Sequence, residues 1–576
     1  MSRRLCFWVV VVAAALTGCS PSSQDTDFIA VAEHCIEASL SMNPEWATAV
    51  GDHRFDHSLT DRSLEAHQAR RDLAVAYLDT LGGFDPERLT SANRIDLEIL
   101  VNHLELEVFT HDELATHRHD PRLYGVGGAI DGLLSREFAP LRQRLESVRS
   151  RLEQIPGVLA AGRANLQRPS RVHTETALGQ TRGEISLILD DLGVFLEQAP
   201  DLRASFTGPR SRAIAALEEH ARWLENELLP RSDGEFRLGR DLFERKLKLT
   251  LETDISIDEI QAAAQADLEA TLATMLAIAT PMYVGFYPEG PNPDDLEPGE
   301  VVRQVLDRLA DEHPTAATIV GQAETSLAAT TAFVREHGLV AVPDDPVEII
   351  VMPEYQRGFA IAYCDAPGPL AKNEKTFYSI APPPVAWSAD RQESYFREYN
   401  DFMLENLTIH EAMPGHYLQL AHANAFVGDT HVRSLFGSGV FVEGWATYAE
   451  QVMAEHGYGA PGVPMQQLKM RLRLILNAII DYRLHCENLT EAEAMDLMTR
   501  RGFQEDGEAA GKWRRAVMSS CQLSTYYVGN LEMNRLRNLA REGRGDRFDL
   551  GAFHDELLSF GSPAPKHVQA LMGLGS

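Results

Sequence analysis

The sequence predicts a mainly α-helical protein with one small β-sheet, and two patterns carry this prediction. Residues from about 28 to 275, and again from Tyr395 to about Arg541, place apolar side chains at three- and four-residue steps with charges between them, as amphipathic helices do. Between these regions the pattern becomes that of short strands, at Val347 to Met352, Ala360 to Cys364 and Thr376 to Ala381. Turns rich in Pro, Gly and Asn separate the strands, so we expect a small antiparallel sheet.

Length and charge limit the class of protein. The chain has 576 residues, enough for a large core and two or three lobes. Its composition, 44% hydrophobic and 24% charged, is that of an ordinary globular protein. The net charge of −31 repels nucleic acid and anionic lipid, which argues against both as partners.

The N-terminus has the pattern of a bacterial lipoprotein signal. Arg3 and Arg4 form a positive region, and Leu5 to Leu16 is an apolar run too short for a confident membrane span. The run ends in Leu-Thr-Gly-Cys, which resembles a lipobox, so we expect Cys19 to be acylated as the first mature residue. Ser20 then favours outer-membrane sorting. The alternatives are a plain cleaved signal peptide and a short uncleaved anchor.

Five segments follow from these patterns. They are a signal peptide at 1–18, a polar tether at 19–27, an N-terminal helical region at 28–340, a small sheet at 341–395 and a catalytic helical region with a metal motif at 396–576.

The metal motif lies between Thr408 and Gln419 and reads TIHEAMPGHYLQ. A His-Glu pair with a second His nearby is the core of many zinc hydrolase sites, usually as His-Glu-x-x-His on one helix. Here His410 and His416 are six residues apart, and on an unbroken helix the second His would be rotated by about 240° and raised by about 9 Å. Pro414 and Gly415 can break that helix. We therefore expect a distorted turn that brings His416 back beside His410.

A second segment, Phe441 to Glu450, supplies a candidate third ligand. Glu443 and Glu450 are seven residues apart on a predicted helix, so they share one face. Apolar residues surround Glu443, and a carboxylate in such surroundings usually has a cationic or metal partner. A catalytic zinc typically has three protein ligands and one open position. We expect one zinc ion on His410, His416 and Glu443, and we expect Glu450 to hold one ligand His in its tautomer.

The segments HEAMPGHYLQ and EGWATYAE resemble the bacterial DUF885 family, whose members carry His-Glu-Ala-x-Pro-Gly-His and Glu-Gly-Trp-Ala signatures. The resemblance covers most of the mature chain. More distantly, the layout is similar to thimet oligopeptidase and carboxypeptidase Taq, helical zinc peptidases of the gluzincin type. Phe441-Val442-Glu443 matches the Phe-Val-Glu segment that holds the third ligand in thimet oligopeptidase. The departure is the His spacing, since this chain has two extra residues between Glu411 and His416.

The resemblance implies a large two-lobed helical fold with a deep cleft, in which a small sheet lies beside the metal site. It implies that Glu411 is the general base and that Tyr526 donates a hydrogen bond to the oxyanion. By composition alone, Tyr526 and Tyr527 are two core aromatics. Arg357, near the expected edge strand, is a candidate for binding a substrate carboxylate.

Together these features favour a zinc metallopeptidase that hydrolyses short peptides in the periplasm. One alternative is metal-dependent hydrolysis of another amide, such as a cell-wall peptide or a modified amino acid. Another is a lipid-anchored binding protein without catalysis, which predicts a closed four-ligand site or no metal. Glu411 beside His410 argues against the binding protein, because a structural metal site does not need a general base.

Overall fold

The computed structural model describes residues 23–344, 346–352, 362–372 and 374–575, and helices dominate it. The described residues are 72% helix and 3% strand, which confirms the mainly helical class.

In the described residues before the sheet, the regular structure is helical. The α-helices are α1 Ser23–Met42, α2 Pro44–Val50, α3 Leu64–Leu81, α4 Ser91–Phe109, α5 Thr116–His119, α6 Gly127–Ser135, α7 Leu141–Asn165, α8 Arg171–Ser186, α9 Leu192–Gln198, α10 Arg203–Trp223, α11 Arg240–Leu251, α12 Ile257–Phe286, α13 Pro298–Leu309 and α14 Ile319–His337. Helices α7 and α10 pack against each other around a core that includes Leu152, Leu159 and Leu217. Helix α12 begins with a capping box, in which Ser256 and Glu259 satisfy each other's backbone N–H groups.

Helix α1 begins at Ser23, inside the stretch predicted to be a polar tether. Asp25 is only 2% exposed, and its carboxylate accepts hydrogen bonds from the Thr90 backbone N–H at 2.9 Å and from Asn93 Nδ2 at 2.8 Å. These contacts attach the start of α1 to α4. The prediction of a tether as far as residue 27 was therefore wrong from Ser23 onward, because a polar side chain there is buried and paired rather than solvated.

The sheet contains three strands, β1 Val347–Val351, β2 Ala362–Asp365 and β3 Thr376–Ile380, in the order β1-β3-β2. Strand β2 is antiparallel to β3, but β1 is parallel to β3. The sheet is therefore mixed, and the prediction of a purely antiparallel sheet was wrong. A parallel pair needs a long crossover connection, and the chain between β1 and β3, which includes β2, provides it.

The helices after the sheet surround the metal motif. They are α15 Ala389–Glu398, α16 Asp401–Glu411, α17 His416–Ala425, α18 Val432–Leu435, α19 Gly439–Glu455, α20 Gly462–Cys486, α21 Glu491–Asp496, α22 Asp506–Met518, α23 Ser524–Arg544, α24 Leu550–Leu558 and α25 Pro565–Leu571. Helices α19 and α23 pack along each other, and α16 packs against α14, α19 and α20. The buried aromatics Phe441, Trp445 and Tyr448 fix α19 in this core. Helices α16 and α19, which carry His410 and Glu443, are thus held in one tightly packed core.

Candidate metal centre

The helix break expected at Pro414 and Gly415 is present. Helix α16 ends at Glu411 and α17 begins at His416. The Gly415 backbone N–H donates to the Ile409 carbonyl at 2.9 Å, so the chain folds back on the end of α16. A Cβ added to Gly415 would lie 1.9 Å from the His410 carbonyl oxygen, so only glycine fits this turn.

This turn brings the two histidines together beside Glu443. Their rings are 4.7 Å apart between centroids and almost perpendicular. Glu443 Oε2 lies 3.7 Å from His410 Nε2 and 3.5 Å from His416 Nε2. Tetrahedral zinc with ligands at 2.0–2.2 Å separates neighbouring ligand atoms by about 3.4 Å. The three side chains therefore have the spacing and the donor types of a zinc site.

The hydrogen bonding of these atoms also fits a cation. Glu443 Oε2 is buried, and no described residue donates a hydrogen bond of normal length to it. A buried carboxylate oxygen without a partner is costly. A divalent ion held by His410, His416 and Glu443 would satisfy this oxygen, so the residues present fit the metal expected from the sequence.

Glu450 orients His410. Its Oε1 accepts a hydrogen bond from His410 Nδ1 at 2.7 Å, and its Oε2 accepts one from Asn406 Nδ2, also at 2.7 Å. Because Nδ1 is occupied in this way, Nε2 is the nitrogen left to face Glu443. Asn406 was not singled out from the sequence. It lies four residues before His410 on α16. This spacing places Asn406 and His410 on the same face of the helix, and it is the sequence feature that could have identified Asn406.

Glu411 lies next to the three candidate ligands but is not one of them. Its Oε2 accepts a hydrogen bond from the Cys364 backbone N–H at 3.1 Å. Cys364 lies opposite Tyr378 in the β2–β3 pair. Strand β2 thus connects the sheet directly to the carboxylate that was predicted to be the general base.

The charges of the cluster are strongly coupled. Burial raises the pKa of Glu411, and the neighbouring His410 and His416 partly offset this effect. Burial alone would lower the pKa of His410, but its contacts with Glu443 and Glu450 raise that pKa well above the usual range. For Glu443 the balance is reversed: burial favours the neutral acid, yet the two histidines hold the pKa of its carboxyl well below normal.

Tyr526 lies on α23, where its hydroxyl accepts a hydrogen bond from Arg515 Nη2 at 2.8 Å and a longer one from Gln522 Nε2 at 3.5 Å. Burial raises its pKa, and the charge of Glu443 raises it further. Tyr527 differs, because it is buried and its hydroxyl donates to Asp267 at 3.1 Å. Both tyrosines contact the same hydrophobic core, but Tyr527 is fully buried in it whereas Tyr526 is only partly buried.

Two predicted functional residues lie outside the described residues. They are Arg357, the candidate for a substrate carboxylate, and Cys19, the candidate for lipidation. Their roles stay predictions.

The structure resembles two solved structures along almost its full length. A candidate lipoprotein of unknown function from Shewanella oneidensis is 33% identical, with a TM-score of 0.81 over 95% of this chain and 99% of that one. A candidate lipoprotein from Colwellia psychrerythraea shares the fold at 16% identity, with a TM-score of 0.75 over 96% of this chain and 99% of that one. No curated protein matches this chain.

The chain matches a family model over a range that includes all residues of the candidate metal centre. A model of the family described as "Bacterial protein of unknown function (DUF885)" matches residues 44–572, and the chain therefore belongs to the DUF885 family.

Proposed function

We propose that this protein is a zinc-dependent peptidase that hydrolyses short peptides. The observation that carries the proposal is the convergence of two histidines and a glutamate on one point, with a second carboxylate, Glu411, next to them. A structural metal site would be complete with its ligands alone. The additional, partly buried carboxylate of Glu411 is the feature that suits hydrolysis.

The zinc ion would be held by His410, His416 and Glu443. When bound in such a site, zinc acidifies water and polarises a carbonyl group. Glu411 would take a proton from the attacking water and return it to the leaving amine. Because burial raises its pKa, it is better matched to proton transfer near neutral pH than an exposed glutamate.

Tyr526 would stabilise the oxygen that gains negative charge during the reaction. Its hydroxyl accepts hydrogen bonds from Arg515 and Gln522, and its own proton has no acceptor among the described residues. The hydroxyl is therefore free to donate. A placed donor of this kind contributes by stabilising developing charge that is absent from the ground state.

The position of β2 supports an extended peptide as the substrate. Among the described residues it pairs with β3 along one edge only, and on the other side its Cys364 N–H reaches Glu411. An extended chain added along this edge by backbone hydrogen bonds would pass the candidate base. The proposal includes a cleft between two helical lobes, which would admit short peptides and exclude folded proteins.

We also propose that the protein is anchored by lipid at Cys19, in the outer membrane and facing the periplasm. The Leu-Thr-Gly-Cys sequence and the candidate lipoprotein nature of both structural relatives support the lipid anchor, and Ser20 directly after Cys19 favours the outer membrane.

The variant Glu411→Gln tests the proposed function, because it keeps the size of the side chain and removes the base. We expect it to keep its zinc and its melting temperature and to lose about 10²–10⁴-fold in peptide turnover. Glu405→Gln, a partly exposed glutamate on the same helix α16, is the matched control and should retain turnover.

Full turnover in Glu411→Gln would rule out Glu411 as the base. If the wild-type protein with zinc hydrolyses no member of a broad peptide library, the peptidase proposal is wrong and the binding-protein alternative is favoured.

A further inference from the structure

One face of α22 carries a row of three charged residues. Glu508, Lys512 and Arg515 follow at steps of four and three residues, so they lie on the same side of the helix. The two outer members of this row have clear partners. Glu508 accepts a hydrogen bond from the Tyr399 hydroxyl at 3.1 Å, and Arg515 donates one to Tyr526 at 2.8 Å.

Lys512, the central member of the row, has no such partner. Its side chain is half-buried, yet it makes no hydrogen bond or ion pair with any residue in the described part of the chain. The chain has 84 acidic residues and only 53 Lys and Arg, so carboxylates are plentiful. The nearest candidate partner along the helix is the glutamate four residues earlier, a spacing at which Glu and Lys can pair. Here Glu508 faces Tyr399 and Arg473 instead.

The contacts of α22 place Lys512 near the proposed site, because Arg515 on the same face of this helix donates a hydrogen bond to Tyr526 on α23, and α23 packs along α19, which carries Glu443. Burial is the largest effect and lowers the pKa of Lys512 to about 8. Glu508 and Glu443 raise this pKa, whereas Arg473 and Arg515 lower it. Tyr526 is also within electrostatic reach of Glu443, and it is hydrogen-bonded to Arg515. Lys512 is therefore a partly desolvated cation on the side of the site where Tyr526 lies.

We propose that the Lys512 ammonium binds a carboxylate of the peptide substrate, an inference that rests on the peptidase function proposed above. Arg515 lies one turn further along α22 and adds positive charge while it holds Tyr526. The carboxylate belongs either to the C-terminus of the peptide or to an acidic side chain. A C-terminal carboxylate would make the protein a carboxypeptidase that releases residues or short fragments from the C-terminal end.

Binding of three small peptides to the full protein tests this inference. The probes are acetyl-Ala-Ala with a free carboxylate, acetyl-Ala-Ala-amide, and acetyl-Ala-Glu-amide, which carries its carboxylate on a side chain. Affinities are measured by calorimetry on metal-free protein, where zinc can neither bind the carboxylate nor support hydrolysis. They are measured again on the zinc-loaded Glu411→Gln variant.

We expect one of the two carboxylate peptides to bind about 10–100-fold more tightly than acetyl-Ala-Ala-amide, as for a hydrogen bond to a charged group. The peptide that binds tightly identifies the source of the carboxylate. Lys512→Met should abolish the difference, and Lys512→Arg should retain it. Lys566→Met, a half-buried lysine on α25, is the matched control and should also retain it.

Equal affinity for the three peptides, or a preference that survives Lys512→Met, would overturn the inference. Different results would contradict the peptidase function and the carboxylate site. If the preference depends on Lys512 but the zinc-loaded protein hydrolyses no peptide, the peptidase function is wrong and the carboxylate site stands. If the protein hydrolyses acid and amide peptides equally well and binds them equally, the carboxylate site is wrong and the peptidase function stands.

Discussion

Gly444 on α19 and Gly529 on α23 bring the backbones of their helices into direct contact. A Cβ added to Gly444 would lie 2.7 Å from the Gly529 Cα, and one added to Gly529 would lie 2.6 Å from the Gly444 Cα. Glu443 directly precedes Gly444, and Tyr526 lies three residues before Gly529. The contact between the two glycines thus sets the distance between a candidate metal ligand and a candidate hydrogen-bond donor.

We expect Gly529→Ala to force these helices apart and to lower the free energy of unfolding by about 1–3 kcal/mol or more, as overpacking does. The separation should also weaken zinc binding, because Glu443 would move. Gly179→Ala on α8 is the control: nothing lies within 4 Å of a Cβ at that position, and alanine favours a helix over glycine by about 1 kcal/mol. Urea unfolding measures both variants. Equal stability of the two would show that the helix contact tolerates a methyl group.

Glu450 should affect the metal indirectly. We expect Glu450→Gln to weaken zinc binding by about 10–100-fold, because glutamine cannot hold the His410 imidazole as a carboxylate does. His416→Ala and Glu443→Ala should lose more. Glu455→Gln is the control, since Glu455 lies at the end of the same helix and pairs with Arg537. Competition with a zinc chelator gives the affinities. If Glu450→Gln loses all its zinc while Glu443→Ala retains it, Glu450 is the ligand.

Tyr526→Phe removes one hydroxyl and keeps the ring. We expect kcat to fall by about 10²–10³-fold with little change in KM, because the hydrogen bond forms as negative charge develops. Tyr527→Phe should behave differently: it loses a bond to Asp267 in the core, so its stability should fall while its kcat is retained. Steady-state kinetics and thermal unfolding of both variants separate the two roles. Unchanged kcat in Tyr526→Phe would exclude it as the donor.

The periodicity of the sequence was enough to predict the helical class and the three strands. Strands β1 and β3 begin where they were expected and end one residue earlier. Their parallel pairing could not be predicted in this way, because periodicity describes how one strand faces the core and not which strand lies beside it. The start of α1 was missed for a related reason, since Asp25 looks solvated in the sequence and is buried only by contact with α4.

In the candidate site, too, some residues could be predicted from the sequence and others could not. The positions of His410, His416, Glu443 and Glu450 could be reasoned from spacing along two segments, together with a break at Gly415. The row of charges on α22 could not, because its meaning depends on contacts between helices that are distant in sequence. Lys512 looks like an ordinary surface lysine until two facts are known: it has no hydrogen-bond or ion-pair partner in the part of the chain that the structure describes, and the charge of Glu443 acts on its pKa.

The pKa of Lys512 predicts how substrate preference changes with pH. A lysine is charged below its pKa, and the value here is about 8, with Glu508, Glu443, Arg473 and Arg515 as the charged groups around it. We therefore expect the preference for the carboxylate peptide over the matched amide to be full at pH 7 and to decline as the pH rises through 8. By pH 10 the ammonium is largely neutral and the preference should be lost.

Lys512→Arg sharpens this test, because arginine stays protonated at every pH used. The variant should keep its preference for the carboxylate peptide at pH 10, whereas the wild-type protein should not. Lys512→Met should show no preference at any pH. The measurement is the ratio of KM values for the acid and amide peptides between pH 6.5 and 10, since KM reports binding while kcat also reports Glu411. A wild-type ratio that stays constant across this range would mean that a different group holds the carboxylate.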